Sequence, residues 1–211
     1  MPTLIQGKVG PQILAEGSEA IIRLGRGAEL IVSELHGKYY EQTFRGNVFV
    51  ATQTAGIAIN TQSGQATSFA LANPAGSGKN CSLIRWDVVM TALPATPVVG
   101  VYGLYVNTNT IAAAVTGTAV TPFPGLLGTN YQPVAKPFST ATVPANPTLF
   151  RVLETKLTGA ATTIPYLPQF FIDFDGTCIL TPGTTICLQQ IAADTTNGSA
   201  INSVVWEEVA P

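Results

Sequence analysis

Charge is what this chain has least of. Asp, Glu, Lys and Arg make up 10% of its 211 residues, against about a quarter in an ordinary globular protein. A surface in contact with water must then be made largely of Thr, Ser, Asn, Gln and main chain. Such surfaces suit proteins that live packed against neighbours, where every charge would cost desolvation. The formal net charge is −2, so no broad field draws in nucleic acid or anionic lipid, and neither is expected as a partner. Histidine is limited to His36, which leaves no second imidazole for a metal site, and nothing like G-x-S-x-G surrounds the nearby Ser33. The cysteines are three, Cys81, Cys178 and Cys187. An odd count without C-x-x-C spacing argues against a disulfide framework or a zinc site. Each sits in an apolar, strand-like run and reads as a buried thiol, with room for one Cys178–Cys187 cross-strand contact. Long apolar runs are also missing. Val88 to Ala135 carries no charge, but Pro94, Pro97, Gly100, Gly103, Gly117 and Pro122 break it, so no membrane helix is expected. The amino terminus, "MPTLIQGKVG", has no basic start followed by an apolar run, so no signal peptide is expected either.

What the chain does have is strand signal. "NPAGSGKN", Asn73 to Asn80, imitates a phosphate-binding loop. However, Asn73 stands where that motif needs its first glycine and Asn80 where it needs a hydroxyl. "TSFALA" precedes it and "CSLIRWDVVM" follows it; both read as strands, so the segment is expected to be a hairpin turn with no bound nucleotide. "NVFVAT", "QFFIDF" and "VVGVYGLYV" are further strands, the last apolar on both faces and therefore central. Asp175-Gly176 is a turn dipeptide. "CIL-TPGTT-ICLQQI" reads as a hairpin with Pro182-Gly183 at its turn, and Asn197-Gly198 as a second hairpin signal. In the closing strand "INSVVWEEV", Asn202, Val204, Trp206 and Glu208 share one face, and Ile201, Ser203, Val205, Glu207 and Val209 the other. Pro122, Pro124, Pro133, Pro137, Pro144 and Pro147 cannot donate to a ladder and predict long crossing loops. The fold class is all-β, a jelly-roll-like two-sheet β-sandwich with an N-terminal arm.

The arm follows from uneven charge. Ten charged residues lie from Lys8 to Arg45 and twelve in everything after Gly46. Residues 1–46 are expected to form an arm or small subdomain and residues 47–211 the sandwich. "AIIRLGRGAELIVSEL" suits a hairpin around Gly25-Arg26-Gly27, since each glycine would cost about 1 kcal/mol inside a helix. In "LHGKYYEQTFRGNVFVA" the aromatics Tyr39, Tyr40, Phe44 and Phe49 are either core packing or a contact surface for another subunit. The candidate assembly residues are Arg23, Arg26, Tyr39, Tyr40, Phe44 and Arg45, the arginines as donors to carboxylates or carbonyls of a neighbour.

Catalytic chemistry finds little support. Asp173 and Asp175 are spaced like the start of a calcium loop, but the later ligands are missing. Glu154, Asp173, Asp175, Asp194, Glu207 and Glu208 supply carboxylates without marking a pair for glycoside cleavage. No catalytic, cofactor or metal residue is assigned, and no enzyme activity is expected.

The segments "LHGKYYEQTFRGNVFVA", "LANPAGSGKNCSLIRWDV", "DGTCILTPGTTICLQ" and "VVWEEV" resemble those of uncharacterised virion structural proteins of tailed bacteriophages, from about Leu35 to Val209. The resemblance implies a capsid decoration, or cement, protein in the virion, assembling as a trimer and contacting the major capsid protein or other virion proteins. A receptor- or glycan-binding module of a head or tail fibre is the alternative, with Trp86 and Trp206 as its candidate aromatics. A polysaccharide depolymerase ranks third.

Overall fold

A computed structural model describes residues 37–62, 65–92, 98–107, 115–158, 169–191 and 198–210. The expected hairpin around Gly25 to Gly27, Arg23, Arg26, His36 and nearly all of the proposed arm lie outside the described residues. The elements, in chain order, are α1 (Tyr40–Phe44), β1 (Val48–Thr52), β2 (Ile57–Ala58), β3 (Phe69–Asn73), β4 (Asn80–Ala92), β5 (Val98–Asn107), β6 (Thr116–Ala119), β7 (Pro122–Pro124), β8 (Lys136–Thr142), β9 (Thr148–Thr158), β10 (Gln169–Asp173), β11 (Ile179–Leu180), β12 (Thr184–Gln190) and β13 (Ser199–Val209).

These strands form two antiparallel sheets packed as a sandwich. One runs β10-β4-β13-β1-β7, with β11 also on β4 and β2 on β13; the other runs β6-β8-β3-β12-β5-β9. The pairing is nested. β1 pairs with β13, β3 with β12, β4 with β10 and β5 with β9, as if one long hairpin had been rolled up. β6, β7 and β8 are an insertion between β5 and β9 that widens both sheets.

This topology corrects the expected hairpins. The turn after β3, the Pro182-Gly183 turn and the connection from β12 to β13 each carry the chain from one sheet to the other. The local chemistry of the Pro182-Gly183 turn is as expected: Gly183 has φ 87° and Thr184 N donates to Thr181 O at 3.1 Å. A turn reverses the chain, but long-range pairing decides which sheet receives the next strand. The proline-rich section is also corrected, because it holds strands. Pro122 and Pro124 lie on the three-residue edge strand β7, where a missing N–H is tolerated. Pro137, in β8, offers its carbonyl to Val120 N at 3.0 Å.

The core lies between the sheets. β13 alternates strictly, with Ala200, Asn202, Val204, Trp206 and Glu208 buried, as its sequence predicts. β4 does not keep one phase. Val205 pairs with Arg85 but Trp206 with Leu83, so Ile84 is an extra residue in a β-bulge. Cys81 and Leu83 face inward before it, and Trp86, Val88 and Met90 after it. The bulge keeps Arg85 and Asp87 out of the core and puts Trp86 into it. Trp86 meets Phe69 of the opposite sheet edge-on, with centroids 5.5 Å apart at 88°, and Tyr102 stacks on Phe170 across the same interface at 5.5 Å. β12 and β3 are buried on both faces. Cys187, Ala70 and Tyr105 belong to a second, smaller cluster with Ala141 and Val143, whereas Cys178 belongs to the main core. The two cysteines are thus in different clusters, and the Cys178–Cys187 contact that the sequence left room for is not made; all three thiols are free and buried.

Candidate assembly surface

The polar groups inside the sandwich are structural. Trp86 Nε1 donates to Asn202 Oδ1 at 3.0 Å. Asn202 in turn donates from its main-chain N and its Nδ2 to Gln53 Oε1, at 2.8 and 2.9 Å. Trp206 Nε1 donates to Glu208 Oε1 at 3.2 Å. Both indoles are therefore satisfied from β13, and both are fully buried, so neither Trp86 nor Trp206 offers a ring to a glycan.

Glu208 is the principal anchor. Its carboxylate, 1% exposed, also accepts from Val134 N at 3.0 Å and Ala135 N at 2.9 Å. Lys79, the lysine of the false phosphate loop, holds its ammonium 3.9 Å from Glu208 Oε2. That loop is therefore a sheet-to-sheet turn. Asn73 braces it by donating from Nδ2 to Lys79 O and Leu180 O, both at 2.8 Å. Glu208 sits on the face the sequence assigned to Val204 and Trp206, so a buried acid was legible; its main-chain partners Val134 and Ala135, more than 70 residues away, were not.

The thiols are held protonated. Burial, reinforced by the nearby Glu208, pushes Cys81 up to about 12, and burial pushes Cys178 up to about 11. Cys187 is raised by burial as well. Among the described residues no cluster of three or more His, Cys, Asp or Glu side chains is placed to hold a metal ion. Asp173 and Asp175 are both exposed. Asp175 has φ 46° and begins, with Gly176 at φ 81°, a tight turn between β10 and β11. Asp173 faces Arg85 at 3.6 Å. Glu207 lies on the outer face of β13, opposite to Glu208.

Among the described residues, large apolar side chains stand in water around α1, on the outer face of the β10/β4 pair, on the edge strand β9, and at Ile179 and Ile191. The first surrounds α1. Tyr40 and Phe44 are 45% and 60% exposed. Arg45 is exposed and Tyr39 half-buried, with the Lys38 ammonium 5.2 Å from its ring centroid. Phe49 is in the core. Residues that arrive much later in the chain reach Thr43, Gly46 and Val48. Gly125 N donates to Val48 O at 2.7 Å, and a Cβ on Gly125 would stand 3.1 Å from Thr43 Cγ2. The Tyr131 ring lies so close over Gly46 that a Cβ there would overlap it, and Gly46 has φ 77°. Phe123, Leu127 and Tyr131 are exposed by 56%, 77% and 45%; of these, Tyr131 packs over Gly46, two residues beyond the end of α1. No periodicity in the sequence marked them.

The second place is the outer face of the β10/β4 pair, with Phe171 opposite Asp87. The Arg85 guanidinium covers the Phe171 ring at 4.2 Å and donates from Nε to Asp87 Oδ1 at 2.8 Å. The third is the edge strand β9, where Leu149, Phe150 and Val152 are exposed. Its ladder to β5 is broken by two register shifts, irregularities that hinder addition of a further strand.

No family model matches the chain, and no curated protein sequence matches it.

Proposed function

We propose that this chain is a structural protein of a tailed-bacteriophage virion, a capsid decoration protein that works as a homotrimer and reinforces the head. The observation that carries the reading is the nested pairing of β1/β13, β3/β12, β4/β10 and β5/β9. This nesting supports the reading of the sandwich as a double-sheet jelly roll, an architecture used in viral capsid and lectin domains. The sparse charge and the exposed aromatic and aliphatic side chains around α1 support a protein that functions in contact with neighbours. The segment before Gly46 is its assembly arm, reaching the shell or an adjacent subunit.

Lectin domains share the architecture, so sugar binding is the second reading. Phe171, flanked by Asp87 and Asp173, is the ring it would use. The Arg85 guanidinium already occupies a face of that ring, which favours decoration over sugar stacking.

Reconstitution tests the proposal. Heads of the encoding phage, prepared without this protein, should rupture at a lower temperature than complete heads, and adding the purified chain should restore the higher value. Failure of the purified chain to bind such heads at micromolar concentration would sink the decoration reading.

A further inference from the structure

We infer that the outer face of the seven-stranded sheet receives the N-terminal arm of a neighbouring copy, through the arm segment from Ile21 to Val32. This rests on the homo-oligomer reading above and names the surface and the segment that join the copies.

The strand register places one row of side chains across five strands. Phe123 of β7 stands opposite Val50 of β1, Val50 opposite Val205 of β13, Val205 opposite Arg85 of β4, and Arg85 opposite Asp173 of β10. Their chain neighbours Phe49, Ala51, Val204, Trp206 and Trp86 are in the core, so the row points away from it. The adjacent row runs from Thr52 through Ser203 and Asp87 to Phe171, and Ile201 and Val89 are paired beyond it. One face thus carries Phe123, Val50, Val205, Ile201, Val89 and Phe171.

The two outer faces of the sandwich differ. On the six-stranded sheet, Ala70, Tyr105 and Cys187 are buried in a cluster of their own with Ala141 and Val143. On the seven-stranded sheet, Phe123, Val89 and Phe171 remain 56%, 44% and 62% exposed, with Val50, Val205 and Ile201 half-buried between them. An apolar sheet face left open in this way is a docking surface.

Charge and length identify the occupant. Asp87, Asp173 and Glu207 against Arg85, three carboxylates to one guanidinium, give this face a formal charge of −2. Two such faces would repel, which rules out a symmetric face-to-face contact between copies. Arg85 is engaged by Asp87 and Asp173, whereas Glu207 has no ion pair among the described residues. The segment from Ile21 to Val32 holds Arg23 and Arg26 against Glu29, a formal charge of +1, beside the apolar Ile21, Ile22, Leu24, Leu30, Ile31 and Val32. Extended, its twelve residues reach up to ~40 Å, more than the ~20 Å spanned by five strands. A trimer closes through a contact between two different surfaces, and this acidic face and basic segment are such a pair.

The test uses the full chain and a measurement of mass in solution at micromolar concentration. Glu207→Arg and the double change Arg23→Glu/Arg26→Glu should each weaken association at least tenfold, with the far-ultraviolet circular dichroism unchanged. Combining all three should restore association, a rescue that general misfolding would not give. Val152→Glu on β9 should leave the oligomer intact. Cross-linking names the source of the arm. Ile22→Cys and Ser203→Cys proteins, mixed and treated with a thiol-specific cross-linker, should join to each other, since the native thiols are buried. If a chain carrying both cysteines is cross-linked only to itself, the arm lies on its own face and the inference falls. An oligomer that survives both charge reversals overturns this assignment while leaving the homo-oligomer reading standing. A wild-type chain that is monomeric both in solution and on particles overturns both.

Discussion

Replacing Glu208 by alanine should be among the most damaging single changes available in the sandwich. The carboxylate accepts three hydrogen bonds, from Val134 N, Ala135 N and Trp206 Nε1. Removing it strands those donors in a site that is 1% exposed. An unsatisfied buried donor costs about 1–3 kcal/mol, so three of them, partly relieved by water entering beside Lys79, should cost about 3–5 kcal/mol. That is a large share of the ~5–15 kcal/mol that holds a typical domain together. Glu208→Gln keeps one acceptor oxygen but turns an amide NH₂ toward a main-chain N–H, and should cost about 1–3 kcal/mol. Lys79→Ala should cost under ~1 kcal/mol, because the ammonium is 3.9 Å away and its side chain is 40% exposed. The assay is equilibrium denaturation followed by the fluorescence of Trp86 and Trp206, the only two tryptophans, at one fixed protein concentration because association would shift the midpoint. The expected order of loss is Ala, then Gln, then the lysine variant. A Glu208→Ala loss below ~1 kcal/mol, or a Lys79→Ala loss equal to it, would refute the anchoring role, since the carboxylate would then not be holding the Val134–Ala135 main chain.

Three further outcomes are expected. Thr140 is a β-branched residue at φ 50°, a conformation that costs a side-chain-bearing residue about 1–2 kcal/mol; Thr140→Gly should raise the unfolding midpoint, and a lower midpoint would show that the Thr140 side chain earns its strain. Cys81 and Cys178 ionise in the unfolded chain near the ordinary 9.0 but in the fold only at about 12 and about 11. Their burial therefore contributes stability that is intact below pH 9 and is lost as pH rises toward those values, because the unfolded chain releases its thiol protons first. The midpoint should fall from pH 9 upward and fall less in the Cys81→Ala/Cys178→Ala variant; equal slopes would contradict this. Deleting residues 1–38 should leave a soluble, folded sandwich that no longer joins particles, whereas unfolding of the truncated chain would make that segment part of the domain.

The sandwich was legible in the sequence where one strand face is buried and the other is not. β13 shows this best: its two faces can be read directly from alternation, down to a glutamate among the core positions. Turn dipeptides such as Asp175-Gly176 were equally legible, because φ > 0 is a local demand. What the sequence concealed is non-local. Pro182-Gly183 specifies a turn but not the sheet that the following strand joins. Ile84 reads as one more alternating residue until its pairing with β13 shows it to be the bulge. Prolines in β7 and β8 suggested loops because sequence does not reveal that Pro122 and Pro124 lie on an edge. The candidate surface was half legible. Phe44 and Arg45 stood out as an aromatic and a basic residue in a charged segment, but the Gly125–Val48 hydrogen bond and the contact of Tyr131 with Gly46 join residues about 80 positions apart, which no local pattern marks.

An electron cryo-microscopy map of the proposed phage particle tests the central proposal most directly. The expected result is density for a two-sheet sandwich at symmetry-related positions on the outer head surface, grouped in threes. Density for this chain on tail fibres alone, or its absence from the particle, would contradict the proposal.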